Sequence, residues 1–469
     1  MTGSPGRGLL VQHCQVDSRS GLDVRVRAGA VVEIGPGLRQ DGEVVIAAAG
    51  GALLPGLHDH HLHLFALAAD LASVRCGPPQ VTRPEQLAAA LRAGAGGGPV
   101  RGTGYHESVA GWLDRDQLDA LVRDVPVRVQ HRSGAVWFLN SAALVSTGVA
   151  DSTDPSVERD ETGRPTGRLF RGDELLRGAG LPPDLTEVGR LLASYGITGV
   201  TDATPRLDTR QVTALRTAHT VGSLPQRPLL LGAPLDDADS SGVPWKVVVD
   251  EVRGIDPAAA AAEIRAAHAA GRPVAIHCTS RAETVLAVTV LLECGAVAGD
   301  RLEHAGVLPP DLDTALVRAG VTVVTQPNFV AERGDHYLAD VEPADHALLY
   351  RCGSLLDAGV RVAAGTDAPY GDPDPWRAMA AAVARQTVGG AVVGEAERVH
   401  PMTALRLFLG APLDPGGPTR AVATGLPADL CLLAVPLEDA ISDPSAAHVA
   451  ATVIDGHVIH QQQRRGDDG

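Results

Sequence analysis

Lysine is almost missing from this sequence: lysines and arginines together number 40, and Lys246 is the single lysine. A GC-rich coding background accounts for the arginine bias, so a lysine kept against it calls for a reason. Aromatic residues make up 3% of the 469 residues, which excludes an aromatic core and leaves Ala, Val and Leu to fill it. The six cysteines, Cys14, Cys76, Cys278, Cys294, Cys352 and Cys431, are scattered without a C-x-x-C pair. A disulfide framework is therefore not expected in a chain this long. No uncharged apolar run reaches the length of about 18 residues that a membrane span needs. Met1–Ser20 lacks the basic stretch and apolar run of a secretory signal, so a cytoplasmic location is expected. A net charge of −16 argues against nucleic acid, because phosphate binding needs clustered Lys and Arg.

What is present suits a large globular protein. Apolar residues reach 45%, enough for a sizeable core. Both ends read as short strands. Leu9–Cys14, Asp23–Val26, Ala30–Ile34 and Glu43–Ala48 open the chain, and Asp429–Ala434, Ala450–Ile454 and His457–Ile459 close it. These ends are expected to meet in one composite β-sandwich of residues 1–51 and 414–462, followed by a flexible tail at 463–469. Between them, apolar strands alternate with helical stretches, at Ala52–His63, Ile197–Ala203, Pro228–Gly232, Trp245–Asp250, Pro273–His277, Arg301–His304, Val321–Thr325 and Arg361–Thr366. Eight such strands in βα alternation predict an α/β fold, a (β/α)8 TIM-like barrel over 52–413. Residues at about 65–195 exceed a normal βα connection and are expected to form an insertion.

The densest chemical signal is Pro55-Gly56-Leu57-His58-Asp59-His60-His61-Leu62-His63. Residues i and i+2 of a strand share a face, so His58 with His60, or Asp59 with His61 and His63, point the same way. Spacing alone does not choose between them, and either pair suits a metal. The later ligand-type residues end successive strands: His277 after Pro-Val-Ala-Ile, His304 after Arg-Leu-Glu, and Asp367 after Val-Ala-Ala-Gly-Thr. Barrel enzymes carry their sites at that end of the strands. Lys246 lies in the apolar run Trp-Lys-Val-Val-Val-Asp. Burial there would make its amine lose a proton easily, and a neutral amine can take up CO2 to give an anionic carbamate.

In this order the residues resemble a known family. The segment from Pro55 to His63 resembles the Pro-Gly-(Phe/Leu)-x-Asp-x-His-x-His signature of the amidohydrolase superfamily, and that register assigns ligand roles to His61 and His63. Lys246, His277, His304 and Asp367 follow in the superfamily's order. The chain is further similar to the amidohydrolase family 3 branch, which includes N-substituted formamide deformylases. Supporting stretches are Asn140-Ser-Ala-Ala-Leu144, Gly163-Arg-Pro-Thr-Gly167, Gly196-Ile-Thr-Gly-Val-Thr-Asp202, Arg301-Leu-Glu-His304, Gln326-Pro327 and Gly365-Thr-Asp-Ala-Pro369. Two stretches depart from the branch. His131-Arg132-Ser133-Gly134-Ala135 stands where it usually has Arg-x-Asp-Gly-His, and His277-Cys278-Thr279-Ser280-Arg281 where it often has His-Ala-x-Gly-Asp.

The resemblance implies two divalent metal ions, with zinc the first choice and Mn, Fe, Co or Ni as alternatives. One would take His61, His63 and Asp367, and the other His277 and His304, with carbamylated Lys246 and a hydroxide between them. Asp367 would carry the proton from water to the leaving nitrogen, and a C–N (amide-type, N-acyl or N-formyl) bond would be cleaved. Candidates on the substrate side are Tyr105, His106, His131, Arg132, Arg281, Gln326 and Asn328. The expected partner is a small-molecule substrate, with a homodimer as the assembly considered. Three rival readings fit parts of the same pattern: a mononuclear deaminase on the same fold, a hydrolase of cyclic amides such as hydantoins or imidazolones, and a catalytically silent metal-binding protein. Lys246 and the lack of His-x-x-Glu after the fifth strand count against the deaminase, and the intact ligand set counts against the silent protein.

Overall fold

The computed structural model describes residues 8–176, 183–251 and 256–462. The fold is mixed α/β, and the chain forms two compact units, Met1–Leu64 with Asp184–Gly469, and Phe65–Pro183. Residues 463–469, expected as a tail, lie outside the described residues.

The larger unit is organised by two parallel sheets. One is three-stranded, with β1 (Leu57–Leu62) and β3 (Arg227–Leu230) on either side of β2 (Ile197–Asp202). The other holds, in sequence order, β4 (Trp245–Val248), β5 (Val274–Cys278), β6 (Arg301–His304), β7 (Thr322–Thr325) and β8 (Arg361–Ala364). Strands buried on both faces read as continuous apolar runs, and Val323, Val324, Ala363 and Ala364 have no exposed surface. Backbone hydrogen bonds join the two sheets at both edges. Lys246 N donates to the Leu231 carbonyl (3.0 Å), while Asp367 N donates to the His61 carbonyl (2.7 Å) and His63 N to the Ala368 carbonyl (2.8 Å). Gly365 makes the second junction possible, because a Cβ there would stand 2.5 Å from His61 N.

Helices Pro257–Ala269, Arg281–Cys294 and Asp313–Ala319 connect successive strands of the five-stranded sheet. The second begins at a reciprocal cap in which Ser280 accepts from Glu283 N while the Glu283 side chain reaches back to Ser280 N. Parallel pairing puts Val248 beside His277, His277 beside Glu303, and Cys278 beside His304. This register gathers the ligand-type residues at the C-terminal ends of the strands.

The run expected as one strand, Ala52–His63, is two. Leu53–Pro55 pairs antiparallel with Leu430–Leu433, and β1 pairs parallel with β2. The break falls at Gly56, where any Cβ would meet the Thr198 side chain at 2.1 Å, so the chain passes from one sheet to the other where only glycine fits. Leu53–Pro55 belongs to a four-stranded sheet with Leu430–Leu433, Val449–Ile454 and His457–Gln461. The N-terminal strands Leu9–Val16, Arg19–Arg27, Ala30–Gly35 and Val44–Ala47 form another four-stranded sheet. Val11, Val24, Leu53, Leu430 and Val453 share one apolar cluster between these two sheets.

The smaller unit is built on a six-stranded sheet whose neighbours run Val157–Arg159, Pro165–Phe170, Val136–Leu139, Val127–His131, Val100–Tyr105 and Val74–Arg75. Its core packs around Leu118, Val129 and Phe138.

Candidate metal centre

Both faces of β1 are buried, and they do different work. On one face His58 Nε2 lies 2.9 Å from the Thr201 hydroxyl, and its ring packs 4.6 Å from that of His60. On the other, the Asp59 carboxylate accepts from the Thr366 hydroxyl (2.5 Å), Thr366 N and His61 N. Asp59 thus ties β1 to the end of β8, and burial pushes its carboxyl up to about 7. His61 lies on that face, and His63 follows just beyond the strand.

His61, His304 and Asp367 each offer a ligand atom within 4.8 Å of the others. Asp367 Oδ1 lies 3.1 Å from His63 Nε2 and 3.6 Å from His61 Nε2. The His277 ring meets that of His304 edge-on at 4.6 Å. His304 and Asp367 take left-handed backbone angles, with φ of 68° and 56°. Non-glycine residues held in that region are strained, and such strain is concentrated at functional sites.

The second ring nitrogens show what the first are for. His61 Nδ1 donates to Glu303 Oε2, and His304 Nδ1 donates to Gln326 Oε1 at 2.8 Å. A carboxylate and an amide oxygen accept only, so each Nδ1 holds the ring proton and each Nε2 keeps its lone pair. His63 Nδ1 contacts the Thr204 hydroxyl at 3.2 Å. His61 Nε2 and His304 Nε2 are buried without a hydrogen-bond partner. Such orphaned atoms are costly unless a ligand satisfies them, and imidazole backed by an oxygen acceptor is the usual arrangement of a metal-ligating histidine. The residues therefore fit a divalent cation.

The electrostatics agree. Burial drives His61 and His304 well below the ordinary histidine value, aided by Lys246 for the first and by His277 for the second. Burial, then Lys246, lowers His277 to about 4. All three are neutral, as ligands must be. Burial alone would raise the Asp367 carboxyl. The contact with His63, with the His61 and His304 rings facing the same carboxylate, outweighs it and holds the group well below the usual range. The Lys246 amine is 3% exposed and has no hydrogen-bond partner. Burial lowers its pKa against the opposing charges of Glu303 and Asp367.

The substrate-side candidates fall into several settings. Gln326 is fully buried and serves His304. Asn328 Nδ2 donates to the Thr366 carbonyl at 3.0 Å, bracing the turn before Asp367. Arg281 is committed to an exposed ion pair with Asp345. In the smaller unit, Tyr105 is buried against Phe138 and donates to the Gly111 carbonyl at 2.6 Å. His106 and His131 stack with ring centres 6.0 Å apart, and His131 Nε2 contacts Glu107 at 2.9 Å. Arg132 is exposed, and its N donates to the Tyr105 carbonyl.

Sequence reasoning missed Glu303. It holds His61 and forms an ion pair with Arg301 at 2.6 Å. The signal was available: Arg301 and Glu303 are i and i+2 on the short strand Arg301–His304, hence on one face and oppositely charged.

Comparison with known proteins gives the family and the fold. The model of the amidohydrolase family matches residues 44–460. An N-substituted formamide deformylase of Arthrobacter pascens is 26% identical, the match covering 92% of this chain and 93% of the relative. Among solved structures, an uncharacterized metal-dependent hydrolase of Pyrococcus horikoshii OT3 superposes with a TM-score of 0.75 at 19% identity, covering 96% of this chain and all of that one. A metal-dependent hydrolase of Pyrococcus furiosus gives 0.72 at 20% identity, covering 90% and 98%.

Proposed function

The chain belongs to the amidohydrolase family and is a hydrolase of carbon–nitrogen bonds, and from that premise we propose that it cleaves an amide-type bond, N-acyl or N-formyl, of a small molecule at a two-metal centre. One observation carries the reading: His61 and His304 point their Nδ1 protons at Glu303 and Gln326, which leaves both Nε2 atoms buried and unpartnered in the cluster with Asp367. We read the two parallel sheets as one (β/α)8 barrel and the two end sheets as its composite β-sandwich.

His61, His63 and Asp367 would hold one ion, and His277 and His304 the other. Lys246, as a carbamate formed when its neutral amine adds to CO2 and loses a proton, would supply an anionic oxygen ligand. Divalent ions bound there, with zinc the first choice, would polarise a carbonyl oxygen and make water acidic near neutrality. The protein's own part is positional and protonic. Asp367 accepts the proton of the attacking water on its carboxylate. As the C–N bond breaks, it gives that proton to the departing nitrogen, so that a carboxylic acid and an amine result. The strand-end histidines stay neutral because they are buried, and Glu303 and Gln326 fix their rings. The match to a formamide deformylase supports an N-formyl or N-acyl substrate over a cyclic one.

The test is a panel of N-formyl, N-acyl and cyclic amides offered to metal-replete and chelator-stripped protein, with amine release as the readout. Turnover of an open-chain amide by the replete protein alone is expected. Equal turnover after stripping, or deamination as the only reaction found, would overturn the reading.

A further inference from the structure

We propose that the substrate carries a carboxylate beside its scissile amide, and that Arg333 is the receptor for it. This rests on the hydrolase reading and narrows its substrate class to N-acylated, including N-formylated, amino acids. Arg333 lies on the helix Asn328–Asp340, which follows β7 at the strand end where the metal centre lies. Its guanidinium stacks over the Phe329 ring, 4.2 Å from the centroid. Nη2 donates to the Tyr370 carbonyl. Tyr370 N in turn bonds the Asp367 carbonyl at 2.8 Å, and the Tyr370 ring stands edge-on to His63 at 5.4 Å. The cation is therefore fixed to the segment that carries Asp367, and its charge acts on that carboxylate. The Tyr337 and Tyr350 hydroxyls, 3.2 Å apart, lie within reach of the same charge.

The buried arginines among the described residues are engaged elsewhere. Arg351 makes a paired contact with Asp313, Arg385 donates to the carbonyls of Tyr350, Leu349 and Val393, and Arg272 donates to four carbonyls. Arg301 is paired with Glu303. Arg333 alone among these five has no carboxylate within ion-pair distance among the described residues and also stays partly exposed. A planar guanidinium stacked on an aromatic ring, with N–H groups left over, is suited to gripping a carboxylate. The phenols beside it offer further donors. Such a contact favours the charged ligand by about 10–100-fold.

The experiment uses metal-loaded wild type, Arg333→Gln and Arg333→Lys, with N-formylphenylalanine and its neutral counterpart N-formylphenylalaninamide. It reads the ratio of kcat/KM between the two, and the ratio of their affinities by calorimetry. Wild type should prefer the acid, Arg333→Gln should bring both ratios to about one, and Arg333→Lys should keep part of the preference. A wild type without preference, or a ratio that survives in Arg333→Gln because both compounds suffer alike, would overturn the inference and leave Arg333 as a prop for the Asp367 segment. If neither compound is cleaved but the acid binds in preference and Arg333→Gln abolishes that preference, the N-acyl and N-formyl reading fails while the carboxylate receptor stands.

Discussion

Replacing Gln326 by leucine should weaken metal binding without disturbing any ligand. Gln326 is buried, and its Oε1 accepts from His304 Nδ1 at 2.8 Å, with His304 itself 4% exposed. Leucine is close to glutamine in volume, so the cavity term is small. What is lost is the acceptor. The Nδ1 proton is then buried without a partner, at about 1–3 kcal/mol, unless the ring turns or changes tautomer and spends its Nε2 lone pair. Either relaxation is paid by the metal. Loss of such an oxygen behind a ligating imidazole lowers metal affinity by about 10–100-fold. The assay is competition with a chromophoric chelator on metal-loaded protein. Thr325→Val is the control, since the Thr325 hydroxyl is buried nearby with no hydrogen-bond partner and its removal should leave affinity unchanged. A Gln326→Leu protein that holds metal as tightly as wild type would refute the orientation argument.

Asp367→Asn should keep part of the metal and lose nearly all turnover, because the amide cannot carry the proton; unaltered turnover in amine-release assays would remove Asp367 from that role. A pH prediction concerns the metal-free chain. His277 has a folded pKa of about 4 against an ordinary 6.5, so between those values the unfolded chain binds more protons, and stability falls as pH drops from 6.5 toward 4. Urea unfolding at pH 7 and pH 5 should show the loss, and His277→Gln should reduce it. An equal loss in the variant would mean that His277 is not a source of the acid sensitivity.

Much of the site was legible because it lies on strand ends. His277, His304 and Asp367 each close an apolar run, and parallel pairing carries equivalent positions to one end of the sheet. The choice between the two faces of His58–His63 was not legible, since alternation allows both, and both are in fact buried. Thr201 on β2 takes up His58 while Thr366 and Asp59 organise the other face. Partners brought from distant strands were out of reach in the same way. Gln326, read as a substrate-side group, is bonded to His304 across 22 residues, and Glu303 reaches His61 across 242. Arg333 had no signal to set it apart in an arginine-rich chain; only its stacking on Phe329 and its lack of a carboxylate partner do so. The division of Ala52–His63 at Gly56 depends on how closely Thr198 approaches, a contact that no local pattern contains.

The central claim is a metal centre completed by Lys246, and metal content per chain tests it most directly. Wild type and Lys246→Ala would be prepared without added chelator and measured by elemental mass spectrometry. The account predicts about two ions per wild-type chain, falling to one or none when the lysine is lost. Two ions retained in Lys246→Ala, or one ion in both proteins, would contradict it.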